Sequence, residues 1–216
     1  MERILKAAIL GMGNMGRGHA SSMMKMEGVK LSALCSEPIG DARRFAEEEH
    51  LECQIFDDFD QMLEEAQIDV LYICLPPFAH NGQFEKAAKR GIHIFIEKPI
   101  ALTLKRGRAM AEAAEKNKIV TQVGYQMRFG VAVKKFKEYI ADGTAGRMTL
   151  YMANYECNSL HGPWWRDAKR CGGQVFEQVI HLYDMSLYLM GKASAVNGYV
   201  ANLCHKQVEG YTVEDT

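Results

Sequence analysis

Along the first 124 residues, short apolar runs alternate with stretches whose apolar positions recur every three or four residues. The runs RILKAAIL (3–10), VKLSALC (29–35), CQIF (53–56), DVLYICL (69–75), IHIFIE (92–97) and IVTQVG (119–124) read as strands. DVLYICL is apolar almost throughout, the mark of a strand covered on both faces. Between the runs lie helical patterns at 13–26, 41–50, 57–66, 80–91 and 103–117. Asp57 or Asp58 is placed to cap the third and Thr103 the fifth, while Gly28 and Gly91 stop the first and fourth. Six strands joined by helical crossovers predict a doubly wound parallel sheet.

After about Gly124 the rhythm changes. Residues 131–143 form an amphipathic helical pattern, and 146–157 alternate like an antiparallel strand with one exposed face. GGQVFEQVIHLYDMSLYLMG (172–191) reads as one helix of about five turns with a glycine stop. Strand-like segments follow at 194–206 and 208–216. The expected organisation is therefore a Rossmann nucleotide domain over 1–123 and an α+β domain with a mostly antiparallel sheet over 124–216. The second sheet is short of strands, which predicts a chain completed by further sequence or by another subunit.

The 172–191 pattern is apolar almost all round, so it belongs in an interior. Yet Glu177, His181, Asp184 and Tyr188 fall on one stripe. Such a ribbon is either a satisfied polar network or the lining of a site, because burying unpaired charge is costly.

Composition narrows the class. The 216 residues are 48% hydrophobic and 25% charged, with a net charge of −1 and no basic block. That disfavours nucleic acid or an anionic membrane as the main partner. No apolar run approaches the length of a membrane span, and the N-terminal segment is broken by glycines too early to be a secretion signal. The six cysteines have no CxxC pairing and read as reduced thiols of a cytoplasmic protein.

GMGNMG places Gly11, Gly13 and Gly16 in GxGxxG spacing between the first strand and the first helix, with Asn14 and Met15 inside the turn. Gly11 suits a tight turn, Gly13 a close approach of pyrophosphate, and Gly16 close helix–strand packing. The helix N-terminus supplies donors for phosphate. Ser36 and Glu37 end the second strand, where an acid bonds the adenosine ribose. Glu37 favours NAD, whereas Ser36 would tolerate the extra phosphate of NADP. Glu97-Lys98-Pro99 ends the fifth strand, at the edge where ligands of open parallel sheets bind. On the tripeptide alone, a surface lysine before a turn proline is the stronger reading. Trp164, Trp165 and Arg166 in HGPWWRD suit the C–H faces and hydroxyls of a sugar, or are packed residues of an ordinary loop. Glu177 and His181 could be an i, i+4 metal pair, but no third ligand stands near, so no metal is expected.

Taken in order, GMGNMG, YICLPPFAH, IEKPIALT, GYQMRF and GGQVFEQVIHLYD resemble the glucose–fructose oxidoreductase, inositol dehydrogenase and rhizopine-catabolism (Gfo/Idh/MocA) family over essentially the whole chain. The resemblance implies nicotinamide-dependent hydride transfer at a secondary alcohol of a sugar, polyol or related cyclic compound. It implies that Lys98 binds the reacting oxygen, that His181 moves the proton, and that Glu177, commonly aspartate in the family, assists. It places Leu75, Pro76, Pro77 and His80 beside the nicotinamide, and brings Tyr125 and Arg128 of GYQMRF toward substrate. A homo-oligomer, dimer or tetramer, built on the second sheet is implied too. The family also contains NAD-dependent glycosidases that oxidise a sugar only transiently. A non-catalytic cofactor-binding or regulatory subunit is the alternative from another class.

Overall fold

The computed structural model describes residues 3–216, in two compact units that divide between Gly124 and Tyr125. In the first, β1 (Leu5–Leu10), β2 (Val29–Cys35), β3 (Gln54–Phe56), β4 (Val70–Ile73), β5 (His93–Ile96) and β6 (Thr121–Val123) form one sheet in the order β3-β2-β1-β4-β5-β6. All its pairings are parallel. The crossovers contain α1 (Asn14–Met23), α2 (Ile39–Glu48), α3 (Phe59–Glu65), α4 (Gln83–Lys89) and α5 (Leu104–Asn117). The cap of α3 is Asp58, whose carboxylate accepts from the Gln61 N–H at 2.7 Å, and Thr103 caps α5 through the Arg106 N–H.

Strand alternation divides the core into two layers. Ala8, Leu10, Ala33, Cys35, Leu71, Ile73, Ile94 and Ile96 pack on one face with Met62, Phe84 and Met110 of α3, α4 and α5. Ala7, Ile9, Leu31 and Leu34 pack on the other with Ala20 and Met23 of α1 and Phe45 of α2. Leu31 and Leu34 share a face because β2 carries a bulge: Ala7 aligns with Leu31 but Ala8 with Ala33. The skipped Ser32 donates its hydroxyl to the Ala7 carbonyl at 3.0 Å.

The strand ends fall in one row. Phe56, Cys35, Leu10, Ile73, Ile96 and Val123 are register partners across the sheet. The ladder continues one residue further. Gly11 N–H donates to Cys35, Ser36 N–H to Phe56, Cys74 N–H to Leu10, Glu97 N–H to Ile73 and Gly124 N–H to Ile96. Strand order reverses between β2-β1 and β4-β5, so this carboxyl edge holds the crevice where doubly wound sheets bind ligands.

In the second unit, α6 (Val131–Ala141) forms where the amphipathic pattern places it. Two expectations are corrected. The antiparallel sheet is not formed: among the described residues, no strand is assigned after Val123. Segments 146–157 and 194–206 find no ladder partner, and a strand is stable only when its backbone groups pair with a neighbour. What pairing exists is local, with the Ala201 N–H donating to Thr216 and the Asp215 and Thr216 N–H groups donating to Ala201. The single helix expected over 172–191 is instead α8 (Gln174–Glu177) and α9 (Ile180–Met190), preceded by the short α7 (Ala168–Cys171). At the break, Val179 N–H reaches back five residues to Gln174, while Leu182 N–H reaches back only three to Val179. This wide turn followed by a tight one kinks the helix. The all-round burial expected of the apolar positions is met only in part: Glu177, His181, Asp184 and Met185 are buried and Val175, Phe176, Val179, Ile180, Leu182 and Leu189 half-buried, whereas Leu187 and Met190 are exposed.

Candidate active site

The glycine turn explains its own composition. Gly11 has φ +95°, and a Cβ there would lie 2.7 Å from the Cys74 carbonyl oxygen. A Cβ at Gly16 would lie 1.9 Å from the Gly11 carbonyl oxygen, so α1 starts close against the end of β1 only because Gly16 has no side chain. Around Gly13, by contrast, a Cβ would meet nothing within 4 Å. Gly13 is also the N-cap of α1, with no side chain bonded over the helix end. Exposed backbone, an uncapped helix N-terminus and the exposed Asn14 and Met15 make a surface on which a pyrophosphate fits.

Ser36 and Glu37 part company. Ser36 is 5% exposed, and its hydroxyl accepts from the Met12 N–H at 3.4 Å, tying the glycine turn to the end of β2. Glu37 is exposed beside it. On the other side of the crevice, Leu75 and Pro76 are half-buried and Pro77 opens a 3₁₀ turn, Pro77–Ala79. The two ring nitrogens of His80 face the carbonyls of Ile100, at 2.8 Å, and Leu75, at 3.2 Å. Burial lowers the His80 pKa and outweighs these carbonyls, and the ring lies between the loops after β4 and β5. Lys98 is half-buried at the end of β5, directly after the buried Glu97.

The second unit gathers its own polar cluster. Glu177 ends α8, and His181 lies in the first turn of α9. Tyr125 meets the His181 ring edge-on at 6.2 Å between centroids. Arg128 forms a bidentate pair with Asp184, its Nε donating to Oδ2 at 2.8 Å, and its guanidinium lies over the Tyr125 and Tyr188 rings. The stripe thus divides: Asp184 anchors Arg128, whereas Glu177 and His181 stand one break apart. Burial raises the Tyr125 pKa, and the Asp184 charge raises it further against the opposing Arg128. Trp164 and Trp165 contact at 4.9 Å, and His161 stacks on Trp165 at 4.5 Å. The Arg166 guanidinium donates within its own loop, to the carbonyls of Leu160 at 3.1 Å and His161 at 2.7 Å.

Three groups escaped sequence reasoning. His19 of α1 lies 2.7 Å from Glu97. Gln178 accepts from the Tyr155 hydroxyl at the helix break. Glu214 accepts from the Val175 N–H at 2.7 Å at the start of α8, where Gly173 (φ +106°) leaves room for it. Each contact joins residues far apart in sequence, which no local pattern encodes. Among the described residues no group of three or more His, Cys, Asp or Glu side chains could hold a metal, and no helix is long and apolar enough to cross a membrane.

Residues 5–125 match the family model of the GFO/IDH/MocA oxidoreductases with an NAD-binding Rossmann fold, and residues 133–216 match the C-terminal domain model of the same family. The chain is 30% identical to scyllo-inositol 2-dehydrogenase (NAD(+)) of Bacillus subtilis, over 98% of its own length and 61% of the relative's. It is 28% identical to 2,7-anhydro-N-acetylneuraminate hydratase of Mediterraneibacter gnavus, over 85% of its length and 49% of the relative's. Among solved structures, scyllo-inositol dehydrogenase from Lactobacillus casei with bound NAD(H) and scyllo-inositol superposes with a TM-score of 0.74 at 26% identity. That match covers 88% of this chain and 57% of the other. The chain thus spans about half to three-fifths of the length of these relatives. With a switch-point crevice, a glycine turn open at Gly13 and both family models matched in order, the chain belongs to the GFO/IDH/MocA oxidoreductase family.

Proposed function

We propose that this chain acts in reversible hydride transfer between NAD and a secondary alcohol of a sugar or cyclic polyol, inositols being the first candidates. The observation that carries the reading is the gathering at one sheet edge of an open glycine turn at Gly13, an exposed acid at Glu37 and a lysine at Lys98. NAD, when bound, supplies the hydride acceptor and its reduced form the donor. The first-turn amides of α1 would hold its pyrophosphate, and Glu37 its ribose diol, which disfavours a 2′-phosphate. Lys98 holds the reacting oxygen and stabilises charge on it, and His181 takes the hydroxyl proton in oxidation and returns it in reduction. Glu177 orients His181. Tyr125, Trp164 and Trp165 offer aromatic faces to the ring of the substrate. Arg128 and Arg166, held by Asp184 and by loop carbonyls, serve better as supports for those rings than as direct ligands. The protein works as a cytoplasmic homo-oligomer, which light scattering on the purified chain would test.

NADH should bind more tightly than NADPH in a fluorescence titration. The reverse preference would remove Glu37 from the ribose site. On an inositol and sugar panel read at the nicotinamide absorbance, Lys98→Ala and His181→Ala should each lower turnover by at least about a hundredfold with NADH binding retained. A His181→Ala chain with near wild-type turnover would make the buried ribbon structural. A second reading, transient oxidation without net cofactor turnover, draws on the similarity to a hydratase. It predicts product formation with no change in nicotinamide absorbance.

A further inference from the structure

The end of β5 contains a contact that the proposed reaction does not use. His19 on α1 places Nε2 2.7 Å from Glu97 Oε1. The Glu97 side chain is 7% exposed, and its other oxygen accepts from the backbone N–H of Lys98 at 3.2 Å. The imidazole is wedged against Phe95, edge-on at 4.8 Å, and against Tyr72 at 5.4 Å, while those two rings stack on each other at 4.5 Å. Gly124, the residue after β6, leaves the space: a Cβ there would lie 2.7 Å from Glu97 Oε2. Neighbours from α1, β5 and the end of β6 therefore converge on one carboxylate.

A buried carboxylate is an expensive way to end a strand, because removing it from water costs more than burying an apolar side chain of the same size. One of its partners here is His19, which ties it to α1, and the other is the backbone N–H of the next residue, which it fixes. We propose that His19 and Glu97 form a positioning pair for Lys98: the imidazole orients the Glu97 carboxylate, and the carboxylate holds the Lys98 N–H, so that the lysine leaves the sheet edge in one direction. In this arrangement Glu97 stands behind Lys98 as its support. The value of this placement to catalysis rests on the reading of Lys98 given above, but the placement itself can be tested without turnover.

The test uses the full 216-residue chain, acetylated in its native state with N-hydroxysuccinimidyl acetate, with modification of Lys98 quantified by peptide mass spectrometry against the exposed Lys30. His19→Ala should raise the Lys98:Lys30 rate ratio by about fivefold or more, as local order at the strand end is lost. His19→Gln keeps an N–H donor and should return the ratio to within about twofold of wild type. NADH affinity, read by fluorescence, should stay within about threefold in both, because the glycine turn is untouched. An unchanged ratio in His19→Ala overturns the proposal. So does equal behaviour of the alanine and glutamine variants, or a loss of NADH affinity as large as the rise in labelling. Glu97→Gln removes the buried charge, so it remains a usable background if His19→Ala melts early. In it, His19→Ala should add less than about half of its single effect. Effects that multiply would mean His19 does not act through Glu97. If Lys98→Ala retains turnover on an active substrate while the labelling results hold, the reading of Lys98 fails and the positioning pair stands.

Discussion

At the residue scale, the best satisfied group in the second unit is Asp215. Its carboxylate accepts from the N–H groups of Leu203 and Cys204 at 2.7 Å and of His205 at 2.9 Å, and it pairs with the His205 ring at 2.9 Å. Burial opposes the charge, but these donors outweigh it and hold the carboxyl well below the usual aspartate range. Because the folded value is the lower one, the contribution to stability is complete above the unfolded value of about 3.9 and fades as pH falls below it. Asp215→Asn should therefore melt below wild type at neutral pH, with the gap closing on acidification below about pH 4, as thermal melts across that range would record. None of this was legible in the sequence, where Asp215 is one polar residue in a strand-like tail. Gly11, Gly13 and Gly16 were legible, because a backbone requirement writes itself as a residue type at fixed spacing. The division between Ser36, which ties the turn, and Glu37, which faces solvent, was not, since it depends on which side of the strand end each occupies.

At the element scale, α1 is the most exacting piece. It depends on Gly16, where a methyl group would lie 1.9 Å from the Gly11 carbonyl oxygen and backbone would have to move. Gly16→Ala should push the helix start away from the strand, abolishing measurable NADH binding and lowering the melting midpoint, whereas Gly18→Ala, with open space around its Cβ, should do neither. Loss of NADH binding in both variants would point to the turn's flexibility rather than to close packing. The helices and strands of the first unit were legible because each satisfies its own periodicity and caps, as Asp58 and Thr103 do. The α8/α9 break was not. Its sequence satisfies a continuous helical pattern, and the interruption comes with long-range bonds from Tyr155 to Gln178 and from Val175 to Glu214. The buried ribbon was right in its residues and wrong in its surroundings, because exposure of Leu187 and Met190 depends on what packs against them.

At the scale of the whole molecule, the two units differ in how their backbone groups are paired. In the first, a six-stranded ladder pairs β1, β2, β4 and β5 on both sides and the edge strands β3 and β6 on one. In the second, segments 146–157 and 194–206 have no ladder among the described residues. Hydrogen exchange should follow that division, with β1 and β4 amides protected most and amides of 146–157 exchanging orders of magnitude faster. Slow exchange across 146–157 in the isolated chain would mean that the segment finds strand partners in solution. The parallel sheet was legible because its strands signal themselves one by one, whereas an antiparallel sheet requires partners that a segment's own alternation cannot guarantee. The aligned strand ends have one more consequence. Gly11, Ser36, Cys74, Glu97 and Gly124 each follow a strand at the same level, and each is fixed by a backbone bond that does not depend on its side chain. The main-chain frame therefore holds without the side chains, while Ser36, bonded to the Met12 N–H, and Glu97, bonded to His19 and the Lys98 N–H, add ties of their own above it. The row works as a keyboard on one scaffold, in which Gly11, with its positive φ, Gly124, crowded by Glu97, and Ser36 and Glu97, bonded to Met12, His19 and Lys98, are keys that cannot be changed without moving their neighbours.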